Sequence, residues 1–183
     1  IAQLLATQQL DIKEIDAIAV TLGPGSYTGL RVGLASAKGI AYTLQKPLIG
    51  LSTLSALAFA AIKLVPKEME QPFQIFSMID ARRMEIFGAI YDAACNPILP
   101  EQAIVLDESK WNSLIHQPTI CIGNGITKTK EIKVAQKVIF LDAMYTSQEL
   151  VEMAMIKWNA GHFEDLAYVG PNYLKEVYII PSK

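Results

Sequence analysis

The chain has 183 residues, 51% of them hydrophobic and 19% charged, with a formal charge of −2 at pH 7. Such a length buries a sizeable core, and such a balance excludes a strongly basic nucleic-acid binder, whose footprint is a positive face. Arg31 and Lys38 interrupt the longest apolar run, so no membrane span is predicted.

Ile1, Leu4 and Leu5 follow helical spacing, as though the chain were entered in mid-helix. "IDAIAV" (15–20) is apolar and bounded by turn residues, the pattern of a buried parallel strand. A helix is predicted from Gly29 to Leu44, then a strand over 48–51. Ser52 or Thr53 caps a further helix that Pro66 stops. "PKEMEQP" (66–72) reads as a linker. "FQIFSMID" and "MEIFGAIYD" are two strands joined by a hairpin at "ARR", and "QAIVLD" (102–107) is a third. "ESKWNSLI" is a short helix, "TICIG" and "KVIFLD" (137–142) are strands, and a short helix or loop joins them. Thr146 and Glu149 make a capping box for a last helix ending near Gly161.

The second half thus reads β-β-β-α-β-(short α or loop)-β-α and the first α-β-α-β-α. The first matches only the later part of the second. Residues 1–66 are expected to form a first lobe that lacks its opening strands here, with 67–72 a linker and 73–183 a second lobe. The complete plan calls for roughly 30–50 further residues upstream. The cysteines, Cys95 and Cys121, read as reduced thiols, and no signal-peptide pattern is visible, so a cytoplasmic location is expected.

The stretch "LGPGSYTGLRVGLASAKGIAYTL" (22–44) raises the functional question. Gly23, Pro24, Gly25, Ser26, Tyr27, Thr28 and Gly29 form a loop that enters a helix, which suits an anion. Yet the spacing fits neither a Walker motif nor a dinucleotide fingerprint. Thr28 is placed as an N-cap, and Ser26 and Thr28 have no neighbouring base, so both read as structural. Gly29, Gly33, Ala37 and Ala41 recur every four residues. Glycines such as Gly33 and Gly39 each cost a helix about 1 kcal/mol against alanine, a loss usually offset by close approach of another element. Leu30, Val32, Leu34 and Ile40 make the helix apolar nearly all round. Leu4, Leu5, Leu30, Val32, Gly33, Leu34, Ala37 and Ala41 are therefore predicted to face another protein.

"GPGSYTGLRVGLASAKGIAY", with "GLSTLSALA" (50–58), "IDARRMEIFGAIYD" (79–92) and "PNYLK" (171–175), resembles the TsaB (YeaZ) family along the whole chain. The resemblance implies an α/β fold of two ribonuclease-H-like lobes, of the actin, Hsp70 and sugar-kinase superfamily. It implies a non-catalytic subunit of the bacterial complex that makes N6-threonylcarbamoyladenosine in tRNA. The implied partners are a catalytic TsaD homologue, a TsaE-type ATPase and, through the complex, tRNA. A homodimer is expected when the chain is alone. ATP and metal are implied on the partner subunits and no cofactor on this chain.

The residues bear on the alternatives. The catalytic relatives hold metal with two histidines on one helix turn, whereas His116 and His162 are far apart. That argues against a metal-dependent peptidase. The hairpin matching a phosphate loop, Asp80-Ala81-Arg82-Arg83, has no glycine, which argues against an ATP-binding small-molecule kinase. Asp80 reads as a turn residue, and Arg82 and Arg83 as surface bases whose contact with RNA stays open.

Overall fold

The computed structural model describes residues 1–130, 132 and 136–175. Two parallel strands, β1 (Ile18–Gly23) and β2 (Leu48–Ser52), form a first sheet with Ile18 opposite Leu48 and Thr21 opposite Leu51. Parallel neighbours need a crossover, and here it is helix α2 (Tyr27–Leu44). Ahead of β1 stand helix α1 (Ala2–Thr7) and a 3-10 turn, Ile12–Glu14. A capping box closes that turn: the Asp11 carboxylate accepts from the Lys13 N–H at 2.8 Å, and Glu14 accepts from the Asp11 N–H at 2.7 Å. β1 consequently starts three residues later than the apolar run that begins at Ile15 suggests.

Helix α3 (Thr53–Lys63) follows β2 directly, with the Ser52 hydroxyl accepting from the Ser55 N–H. Next come β3 (Gln74–Asp80), β4 (Glu85–Asp92), β5 (Pro97–Val105), α4 (Glu108–Leu114), β6 (Thr119–Ile122), a 3-10 turn over Asn124–Lys128, β7 (Val138–Leu141) and α5 (Ser147–Asn159). The second sheet runs β5–β4–β3–β6–β7. β3, β4 and β5 are antiparallel in turn, and β6 and β7 run parallel to β3. The fold is mixed α/β. β5 begins at Pro97, well before the predicted 102, because an edge strand tolerates Pro97 and Pro100, which a central one would not.

Helix α3 joins the two sheets. Leu54, Leu57, Ala58 and Ala61 pack with Ile75, Ile79, Ala89, Ile120 and Ile122 of the second sheet, and α3 also touches β1 and β2. Each fully buried leucine contributes about 1.5–3 kcal/mol. On the opposite face Trp111 of α4 stacks on Phe76, centroids 5.7 Å apart. Within 67–72, Met69 is buried in the α3 core while the other five residues are exposed.

The last helix leaves the second sheet behind. α5 packs mainly on β2 and α3 and also touches β1. The Lys157 ammonium donates to the Gly50 carbonyl at 2.7 Å, the Glu164 N–H to the Leu48 carbonyl at 2.8 Å, and the Asn172 N–H to the Leu22 carbonyl at 2.7 Å. The chain from 147 to 172 thus returns to the first sheet. Residues 176–183, placed in the second lobe on sequence, lie outside the described residues.

Candidate functional site

The glycine loop is a helix entrance. Gly23 has φ +113°, and a Cβ there would lie 2.8 Å from Leu30 Cδ1 and 3.2 Å from the Asn172 carbonyl oxygen. Only glycine turns the chain in that space. The N-cap is Ser26 and not Thr28: its Oγ accepts from the Gly29 N–H, while Thr28 already lies inside the helix. A cleft of about 250 Å³ beside the loop is lined by Val20, Thr21, Pro24, Gly25, Ser26 and Tyr145, among others. Among the described residues none of its lining side chains is an acid or a base with which Ser26 could act as a nucleophile.

α2 divides into two faces, and the division corrects the predicted interface. Leu34, Ala37 and Ala41 are buried in the chain's own core against Ile18, Val20, Leu22, Leu48, Leu166 and Val169. Leu30 is half-buried and rests against Gly23. Lys38 donates to the Val169 carbonyl at 3.1 Å, and so is held by this chain and not by a partner. The outward face is Thr28, Gly29, Val32, Ala35, Ser36, Gly39 and Thr43, all exposed, with Gly33 at its margin. Val32 is 62% exposed. Among the described residues nothing lies within 4 Å of a Cβ at Gly33 or Gly39, so none of them requires either glycine. α1 adds apolar surface: none of its residues is buried, Leu4 is exposed and Leu5 half-buried.

A second apolar surface lies where α5 leans over the first sheet. Ala17, Ala19, Ile49, Leu150, Val151, Ala154, Met155 and Trp158 line a cleft of about 440 Å³ there. Asp16 is the one titratable group in its lining.

The structure also brings together two stretches that carried the family resemblance. Tyr27, the first residue of α2, stacks on Tyr173 of "PNYLK" with centroids 5.0 Å apart, and the Arg31 guanidinium lies 4.9 Å from the Tyr27 ring. Asn172 donates to the Glu101 carboxylate at 2.7 Å. The Ser52 hydroxyl also donates to Glu101, and the Ser55 hydroxyl lies 3.0 Å from Tyr91 Oη. Burial pushes the Tyr91 phenol up to about 12, which keeps it protonated in this network. Both motifs are visible in the sequence, but nothing in it signals their contact.

At the β3–β4 hairpin, Asp80 is a turn residue, as expected. Its Oδ1 accepts from the Arg82 N–H and from the Lys128 ammonium, both at 2.6 Å, and the lysine holds the carboxyl below its usual range. The Asn124 side chain accepts from the Asp80 N–H at 2.8 Å. Arg82 and Arg83 have φ of +67° and +45°, a conformation costing a non-glycine residue roughly 1–2 kcal/mol. Both side chains are exposed at the hairpin tip. His116 and His162 are both exposed. Among the described residues no three His, Cys, Asp or Glu side chains are grouped to hold one. Both cysteines are free thiols, and burial pushes Cys95 up to about 11. Among the described residues no helix is long and apolar enough to cross a membrane.

A family model described as "TsaD: tRNA N6-adenosine threonylcarbamoyltransferase" matches residues 1–169. The chain belongs to this family. Its similarity over nearly its full length is to the TsaB branch. The chain is 28% identical to the tRNA threonylcarbamoyladenosine biosynthesis protein TsaB of Haemophilus influenzae, over 96% of this chain and 76% of that protein. Against the TsaB of Escherichia coli it is 34% identical over 54% of this chain, and it spans 40% of that protein. The structure of YeaZ from Pseudomonas aeruginosa superposes with a TM-score of 0.72 at 26% identity, covering 94% of this chain and 80% of that one.

Proposed function

We propose that this chain works in tRNA threonylcarbamoyladenosine biosynthesis as a non-catalytic subunit that pairs with a TsaD-type catalytic subunit and supports it. The observation that carries this reading is the outward face of α2. Gly33 and Gly39 weaken the helix by about 1 kcal/mol each while no atom of the described residues lies near enough to need them. A helix from another chain that approaches this face closely supplies the missing reason. Without the catalytic subunit, the same face supports a homodimer. A TsaE-type ATPase and tRNA join through the assembly, which is cytoplasmic. The metal and ATP reside on the partners, since the histidines and the β3–β4 hairpin here suit neither.

The strand order supports the finer fold reading as well. The second sheet has the 3-2-1-4-5 order of a ribonuclease-H-like lobe, and β1–β2 with α2 repeats its parallel end. On this reading the two sheets are two lobes of one duplicated plan.

The test is co-purification with the TsaD homologue of the same organism, followed by tRNA modification with and without this chain. Val32→Asp is expected to weaken pairing and modification while circular dichroism stays unchanged. Pairing and activity that survive Val32→Asp would remove this face from the interface. ATP hydrolysis, peptidase or transfer activity in the isolated protein, lost on mutating Asp80 or Ser26, would refute the non-catalytic role.

A further inference from the structure

Two positive features are linked through the Glu85–Lys175 ion pair, and among the described residues their arginines have no carboxylate partner. Arg82 and Arg83 project at the tip of the β3–β4 hairpin, exposed and fixed in left-handed backbone. The acids at the foot of that hairpin are already neutralised: Asp80 by Lys128 and Glu85 by Lys175. Among the described residues neither arginine has an ion-pair partner. Lys175 also ties the hairpin to the second feature, because Tyr173 lies two residues before it. Arg31, Tyr27 and Tyr173 form a stacked ladder, and each tyrosine is 42% exposed.

We infer that the hairpin tip and this ladder together take an unpaired segment of RNA. Flat aromatic and guanidinium faces accept splayed bases, and paired arginines accept successive phosphates. A duplex offers this surface only its phosphates, since its bases are stacked away. An acidic protein segment would satisfy the arginines and leave the ladder without a ligand. The chain's overall charge of −2 limits the contact to this patch and suits a subunit that aids RNA binding inside a larger assembly. The inference rests on the proposed role in tRNA modification, and it assigns the RNA-facing side of that role.

The experiment uses the full-length protein with its TsaD-type partner. Fluorescence anisotropy compares an RNA stem-loop with an unpaired loop against a fully paired RNA of equal length, across a salt series. The stem-loop is expected to bind more tightly. The double substitution Arg82→Ala/Arg83→Ala should weaken it about tenfold and reduce the salt slope by about 1.4, two phosphates' worth. Tyr173→Ala should weaken it roughly tenfold with little change in slope, and Tyr173→Phe should bind like the parent. Pairing with the catalytic subunit, read by gel filtration, should be unchanged in all three. Equal affinity for paired RNA overturns the inference, as does an arginine double variant with parental affinity and slope. Loss of pairing in that folded variant also overturns it, by turning the patch into a protein interface. Competition by free ATP would make it a nucleotide site instead. Failure of the parent protein to pair with the catalytic subunit sinks the proposed function, a result separate from all of these.

Discussion

β6 and β1 each lead through a helical segment to a parallel neighbour, β7 and β2, yet they sit in different surroundings. β6 lies between β3 and β7, and all four of its residues are buried. β1 has β2 on one side, and among the described residues no strand on the other. Only Gly23 of its six residues is buried. "TICI" and "IAVTLG" are similarly apolar, so composition does not make this difference. Neighbours do. The first sheet is protected where the chain returns to it, with α2 on one face and α3 and α5 on β2, and it is open along β1. The second sheet closes its own core around β3. The stable part of the molecule should therefore centre on α3 and β3, with β1 the first region to open.

The strongest way to break that contrast is Leu57→Ala. Leu57 is fully buried in the α3 core shared with the second sheet, and such truncations cost about 2–5 kcal/mol. Urea unfolding should show a single transition at lower denaturant, because α3 touches both sheets. Two separated transitions would mean that the sheets fold independently and that α3 does not couple them.

Gly50→Ala should act on the first sheet alone. A Cβ at Gly50 would lie 2.4 Å from Leu22 Cδ1 and 2.6 Å from Glu164 Oε1, and overpacking of this kind costs about 1–3 kcal/mol. Amide exchange should accelerate at Ile18–Leu22 while Ile120–Ile122 stays slow. Equal acceleration in both strands would remove the distinction between the sheets.

Gly39→Ala sharpens the contrast from outside. Among the described residues nothing lies within 4 Å of the new methyl, so the isolated chain should gain about 1 kcal/mol from helix propensity. Pairing with a TsaD-type subunit should weaken at the same time. A gain in stability with no loss of pairing would mean that the glycine is not needed for close approach.

The elements themselves were legible in the sequence, since hydrophobic runs and caps are local. Thr146 with Glu149, and Pro66, marked their helix ends as read, and of the two caps open for α3, Ser52 or Thr53, the structure takes Ser52. Two things were not local. The row Gly29, Gly33, Ala37 and Ala41 looked like one face, but each four-residue step turns about 40° beyond a full circle. Three steps carry the row roughly 120° round, from solvent at Gly29 to the core at Ala41. The return of α5 to the first sheet was hidden too. It depends on Lys157 reaching Gly50 and Glu164 bridging Leu48, contacts that no periodicity encodes. At the site, the motifs were visible and their meeting was not: Tyr27 and Tyr173 are distant in sequence and stack only because Asn172 docks on Leu22.

The smallest expected effect concerns how α5 is held on α3. Glu149 accepts from the Thr146 hydroxyl at 2.6 Å and N–H at 2.8 Å, and from the Lys63 ammonium at 3.1 Å; Lys63 also reaches Glu152 at 2.8 Å. The Thr146 hydrogen bonds, and then Lys63, pull the Glu149 carboxyl from its ordinary 4.5 down to about 2. A carboxyl lowered on folding stabilises the fold above its unfolded value, and that contribution fades as pH falls toward the folded one. Stability should therefore decline from about pH 4.5 to pH 2, with α5 loosening before the second sheet. Glu149→Gln keeps a side chain of similar shape and removes the titration. Its stability should be lower than the parent's at neutral pH, and the two should converge as pH falls through this range. The comparison is made by urea unfolding of both proteins at each pH. A constant gap between the two down to pH 2 would show that Glu149 does not hold α5 through its charge.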